Sequence, residues 1–227
     1  MSSPIKGGLK AIQDLNQALQ LNPQDDASLV ERARANRQIQ RFDLALQDLN
    51  RAIQINPDNL TARLNRGNLH FDKRKINEAL QDFDYVLAQD PKHISALTNR
   101  SSVYGQIGRS DAAIRDLNTV IQLAPQSSQA YNNLIFIYYD QRNFAQALEN
   151  CQRYLALVPD DHEIIHVRGV VQQNLGQSVL ALQDFNRAIQ LAGHIPNYYQ
   201  SRALAYRSQG KESLAQADEQ RAAQLGQ

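Results

Sequence analysis

LTARLNRGNLHFDKRKINEALQDFDYVLAQDPKH, residues 60–93, holds the plan of the whole 227-residue chain. Its Pro91 has counterparts at Pro23, Pro57, Pro125 and Pro159, each 34 residues from the next. Its Ala79 has counterparts at Ala11, Ala45, Ala113, Ala147, Ala181 and Ala215 in the same frame. A fixed period of this size marks a stack of like supersecondary units, each burying its face on its neighbours.

Two apolar-periodic stretches fill each row. In residues 26–59 they cover 27–39 and 42–55, and the second carries Leu44, Ala45, Leu49, Ala52, Ile53 and Ile55. That spacing is close to the 3.6-residue period of a helix with one apolar face. Gly108, Gly176 and Gly210 stand at the break between the stretches in later rows, where a helix end favours glycine. Asn56-Pro57-Asp58 then closes one helix and opens the next. Each row therefore predicts a helical hairpin. A small column in the first helix, Ala33, Gly67, Ser101, Gly169 and Ala203, faces the alanine column in the second. Small against small lets two helix axes approach closely. The row 128–161 breaks the pattern with Ile135 and a bulky Tyr154, which predicts a splayed or locally shifted hairpin there.

A 34-residue helical hairpin with small, alanine, alanine and proline columns resembles the tetratricopeptide repeat (TPR) family, over residues 9–227. The resemblance implies an all-α, right-handed superhelical solenoid of helix-turn-helix repeats. After an N-terminal segment 1–8, the expected single array has an orphan second helix within 9–25. Hairpins at 26–59, 60–93, 94–127, 128–161, 162–195 and 196–227 follow. The last second helix carries Gln216 and Glu219 where the first row has Leu46 and Leu49 and the fifth Leu182 and Phe185. A polar outer face of this kind caps an array. The orphan helix lacks the first helix that would cover Ala11, Ile12 and Leu15, so its edge is expected to be sticky and open to self-association.

The bulk numbers exclude some function classes. Lys plus Arg total 24 and Asp plus Glu 23, a net charge of +1, so no excess charge steers the chain toward nucleic acid or an anionic membrane. Cys151 is the single cysteine, which forbids an internal disulfide. No apolar stretch is long enough to insert into a membrane, and the opening MSSPIKGGLK lacks the apolar centre of a signal peptide. A cytoplasmic protein is expected.

Three patterns could carry function. The first is His162-Glu163-Ile164-Ile165-His166, which spells the HExxH of zinc peptidases. It sits in the opening turns of an ordinary repeat helix, and no third ligand follows at a recognisable spacing. A metal-dependent hydrolase is therefore the weaker alternative, and no catalytic residue, metal or cofactor is expected. The second is an arginine column, Arg32, Arg66, Arg100, Arg168 and Arg202, matched by Asp48, Asp82, Asp116, Asp184 and Asp218. Row 128–161 loses both at once, to Leu134 and Asn150, which predicts an ion pair inside each hairpin.

The third lies on the first helices, which line the concave groove in proteins that the chain resembles. Asn65, Asn99 and Asn133 form one column there. A carboxamide both donates and accepts, which suits the backbone of an extended peptide. One turn on come Asn68, Ser102 and Phe136, then Phe71, Gly105 and Tyr139. Aromatics flanking small residues predict a hollow for an apolar anchor. Arg34 and Arg37 make the near end basic, whereas the run Lys73-Arg74-Lys75 reads as a solvated helix end. The resemblance implies a non-enzymatic scaffold or adaptor that holds a partner protein, as peptide or helix, in this groove. A regulatory array within a longer protein is a further reading.

Overall fold

The computed structural model describes residues 4–226, and among them it holds thirteen α-helices and no strand. α1 spans Pro4–Leu21, longer at its start than expected. Six hairpins follow: α2 Asp26–Gln38 with α3 Phe42–Ile55, α4 Leu60–Asp72 with α5 Ile76–Gln89, and α6 Ile94–Gln106 with α7 Ser110–Leu123. The remaining three are α8 Ser128–Asp140 with α9 Phe144–Leu157, α10 His162–Asn174 with α11 Ser178–Leu191, and α12 Pro196–Ser208 with α13 Glu212–Leu225. The chain is an all-α helical repeat solenoid. Contacts gather it into two compact units, one ending at Thr119 and one beginning at Val120. In the first unit α2 packs on α4 and α4 on α6, and in the second α10 packs on α12. Each such face is built from the first helices of successive hairpins.

Local chemistry sets the helix ends. Two residues after each repeat proline, a side chain caps the first helix. Asp25, Asn59, His93, Ser127 and Asp161 accept from backbone N–H groups three residues on, of Ser28, Ala62, Ala96, Ala130 and Ile164. Such caps satisfy donors that a helix start leaves unpaired. The last row lacks one and places Pro196 in the first turn instead. Two residues past the end of each first helix stands a residue of positive φ: Gln40, Arg74, Gly108, Arg142, Gly176 and Gly210. The next N–H then reaches back five residues, as from Lys75 to the His70 carbonyl at 2.8 Å.

The hairpins close on two contacts, each sixteen residues apart. The first is polar. In five hairpins the guanidinium grips the aspartate with two bonds, Nε to one oxygen and a terminal nitrogen to the other. For Arg66 and Asp82 these are 2.9 and 2.7 Å, for Arg100 and Asp116 both 2.8 Å, and for Arg168 and Asp184 2.7 and 2.6 Å. Arg32–Asp48 and Arg202–Asp218 repeat the geometry. The carboxylates are buried and the arginines partly so. In four of the five the remaining nitrogen reaches sixteen residues back into the preceding second helix: Asn16, Asn50, Asp84 and Asn186. The expected ion pair is thus a clamp across three helices.

The second contact is a match of volumes. Gly67 faces Phe83 and Gly169 faces Phe185, and a Cβ at either glycine would lie 2.7 Å from the ring. Ala33 and Ser101 stand sixteen residues before the smaller Leu49 and Leu117, and all four are buried. Ile135 stands sixteen before Cys151, and both share one fully buried cluster. The splaying expected of that hairpin is therefore not seen, because the cysteine gives up the volume that the isoleucine takes. Burial also pushes the Cys151 thiol up to about 12, so it acts as a small apolar group. Tyr154 packs partly buried against the same cluster and donates its hydroxyl to Asp161 at 2.6 Å.

This match makes a direct prediction. Gly67→Ala should overpack against the Phe83 ring and cost about 1–3 kcal/mol in denaturant unfolding. Adding Phe83→Leu, which copies the Ala33–Leu49 row, should recover most of it. A Gly67→Ala protein as stable as the parent would refute the volume argument.

Candidate functional site

The face of first helices in the first unit presents Asn65, Asn68, Phe71, Asn99, Ser102 and Gly105. The amide of Asn99 donates to Asn68 at 2.6 Å across α6 and α4, and that of Asn65 to the Thr61 carbonyl of its own helix at 2.9 Å. Ser102 hydrogen-bonds the Thr98 carbonyl at 3.2 Å. Phe71 is half-buried and packs with Ala79, Phe83 and Val103. Gly105 is exposed. The basic end is not as expected: Arg34 pairs with Glu31 at 2.9 Å and Arg37 with Asp72 at 2.6 Å. Both charges are neutralised by carboxylates on their own or the next first helix.

The second unit carries Asn133, Phe136 and Tyr139 on α8. Asn133 is half-buried, Phe136 is 45% exposed, and Tyr139 sets its ring edge-on to Phe144 at 5.8 Å. Two residues that the sequence reading missed continue the Phe136 column: Val170, half-buried, and Leu204, 57% exposed. The signal was the 34-residue frame itself, extended two rows past the hollow. At the same register the first unit has Arg34, Asn68 and Ser102. This one register is thus polar in the first unit and apolar in the second.

The N-terminal edge is covered more than expected. Ile12 is buried, and Gly8 sits against Ile39 of the α2 C-terminus. Ala11 is exposed and Leu15 half-buried. With Arg34, Arg37 and Phe42 they line a cavity of ≈ 630 Å³.

A TPR repeat profile matches residues 33–73, and a tetratricopeptide repeat profile matches residues 98–162. The chain is a tetratricopeptide repeat protein. Solved structures with the same fold include MamA, 24% identical, at a TM-score of 0.67 over 70% of this chain and 94% of that one. A tetratricopeptide repeat protein from Parabacteroides merdae is 21% identical, with a TM-score of 0.71 over 98% and 88%. YrrB, described as a TPR protein with an unusual peptide-binding site, is 17% identical, with a TM-score of 0.65 over 79% and 92%. Among curated proteins no relative matches the chain.

In this TPR protein the HExxH histidines are spent on repeat packing. His166 is buried and stacks on Tyr198 at 4.6 Å between ring centres, with Nε2 2.8 Å from the Ser201 hydroxyl. His162 Nδ1 lies 2.7 Å from the Tyr198 hydroxyl. Glu163 is exposed at the helix start. Among the described residues no three His, Cys, Asp or Glu side chains converge on a metal position. The four groups instead staple α10 to α12. No described helix is long and apolar enough to cross a membrane.

The staple sets a pH dependence. Burial holds His166 down at about 4, against 6.5 when unfolded. A depressed imidazole contributes stability that is complete above the unfolded value and is lost as pH falls toward the folded one. Parent stability should therefore drop faster than that of His166→Gln between about pH 6.5 and about pH 4 in urea titrations. Parallel curves for the two proteins would contradict a buried neutral His166.

Proposed function

We propose that the chain is a protein-interaction scaffold that holds a partner peptide on its first-helix face, with the apolar register Phe136, Val170 and Leu204 as its anchor. The observation that carries this reading is the exposure of Phe136 and Leu204. Large apolar side chains set in register on one face of a soluble domain mark a docking surface. YrrB, which shares the fold, is described with a peptide-binding site. The reading needs no cofactor and no catalytic group, and treats the array as non-enzymatic.

Peptide display against the purified protein tests it. Selected peptides should carry apolar side chains. Leu204→Asp and Phe136→Asp should each weaken them by about tenfold or more while leaving helicity intact. Peptides that respond only to changes on the outer faces of α11 and α13 would overturn the groove reading.

A further inference from the structure

The turns inside the first-unit hairpins carry cations that form no ion pair, though Lys75 lies near enough to help Lys73 hold the Asp43 carboxyl below its usual range. Lys73 pairs with Asp43, and Arg37 with Asp72. Arg41, Arg74, Lys75 and Arg109 are exposed, with no ion pair or side-chain hydrogen bond among the described residues. Three of them repeat at one register: Arg41, Lys75 and Arg109, each immediately before the second helix of its hairpin.

That register is a poor place for a cation. Arg41 and Lys75 are the N-caps of α3 and α5, and neither side chain makes a cap bond. A positive charge also opposes the positive end of the helix dipole. Lys73, at the other side of the turn, ends α4 and does fit the dipole. The same register in α9 holds Asn143, which accepts from the Gln146 N–H, while α13 has Lys211 there, again without a cap bond. An asparagine therefore fits where the first unit keeps arginine and lysine.

We infer that this row of unpaired cations is a second docking edge, and that its occupant is an amphipathic helix of a partner protein bearing spaced carboxylates. Charge complementarity selects the partner. The row offers one cation per hairpin, each in the turn that follows a first helix; α2 packs on α4 and α4 on α6, and packed neighbouring helices lie about 8–10 Å apart. Carboxylates seven residues apart on a helix lie about 10.5 Å apart along its axis. Leu44, in the first turn of α3, and Ile107, at the end of α6, are exposed beside the cations, and they suit the apolar flank of such a helix. Asp43, Asp72, Glu78 and Asp111 interleave with the row. A uniformly anionic lipid surface or nucleic acid would meet those carboxylates as well as the cations. Discrete carboxylates in register meet the cations alone.

The test uses the whole protein and an Arg41→Asn, Lys75→Asn, Arg109→Asn variant. The probe is a labelled synthetic helix with glutamate at every seventh position and leucine beside it, followed by fluorescence anisotropy at low salt. The parent should bind it, and the triple variant should bind about tenfold or more weakly. The variant should also melt at a higher temperature, because asparagine caps the helices that the cations did not. Equal binding by parent and variant, or no binding by the parent, would overturn the proposal. So would tighter binding, lost in the variant, to phosphatidylserine vesicles or duplex DNA than to the peptide. No residue of the first-helix groove is changed, so the outcome is independent of the function proposed above.

Discussion

In five of the six hairpins a guanidinium is tied to a buried aspartate, and in four of these it is tied also to the second helix before it. Burying a carboxylate is costly unless it is met by charge-assisted bonds. Asp82 and Asp184 meet that need with planar, two-pronged arginine contacts that lysine cannot copy. Where both bonds form, the partners lie sixteen residues ahead and sixteen behind, Asp48 and Asn16 for Arg32 and Asp82 and Asn50 for Arg66. The row 128–161 shows the alternative, since it replaces both charges together with a buried leucine and a buried asparagine. Asn150 bonds the Gln146 carbonyl of its own helix instead.

Beside the clamp, a match of side-chain volumes decides how closely the two helices sit. Glycine meets phenylalanine, alanine or serine meets leucine, and isoleucine meets cysteine. The hairpin is thus tolerant of large changes in single residues when the residue sixteen positions away changes too. Close packing makes either change costly alone. A third column shows looser control. Asn36, His70 and Gln172 each leave a buried polar atom without a partner, where the other rows have Tyr104, Tyr138 and Tyr206. Burial pulls the His70 imidazole below its usual value.

Much of this was legible in the sequence. The proline and alanine columns gave the period, and the glycines at 108, 176 and 210 gave the turns. The paired loss at Leu134 and Asn150 betrayed the ion pair. What stayed hidden depends on pairs of residues rather than on columns. Ile135 looked disruptive until Cys151 was set against it. Arg34 and Arg37 looked like a basic end, but Glu31 and Asp72 lie beside them. A sequence does not say whether an asparagine amide turns outward or, like Asn99, to the next helix. The apolar register is written in the sequence, but it emerges only when the Phe136 column is extended through Val170 to Leu204.

The faces free of these constraints are where function can vary. The first-helix register changes from polar to apolar between the units without disturbing any clamp. The unpaired turn cations likewise cost the packing nothing. What those faces depend on is the clamp, and a double-mutant cycle on Arg66→Leu and Asp82→Asn measures its strength. Arg66→Leu alone, which strands a buried carboxylate, should cost about 3–5 kcal/mol. The double variant, which copies Leu134 and Asn150, should be more stable than the sum of the singles predicts by about 1.5 kcal/mol or more. Two small, additive effects would mean that the hairpin is held by its apolar contacts alone.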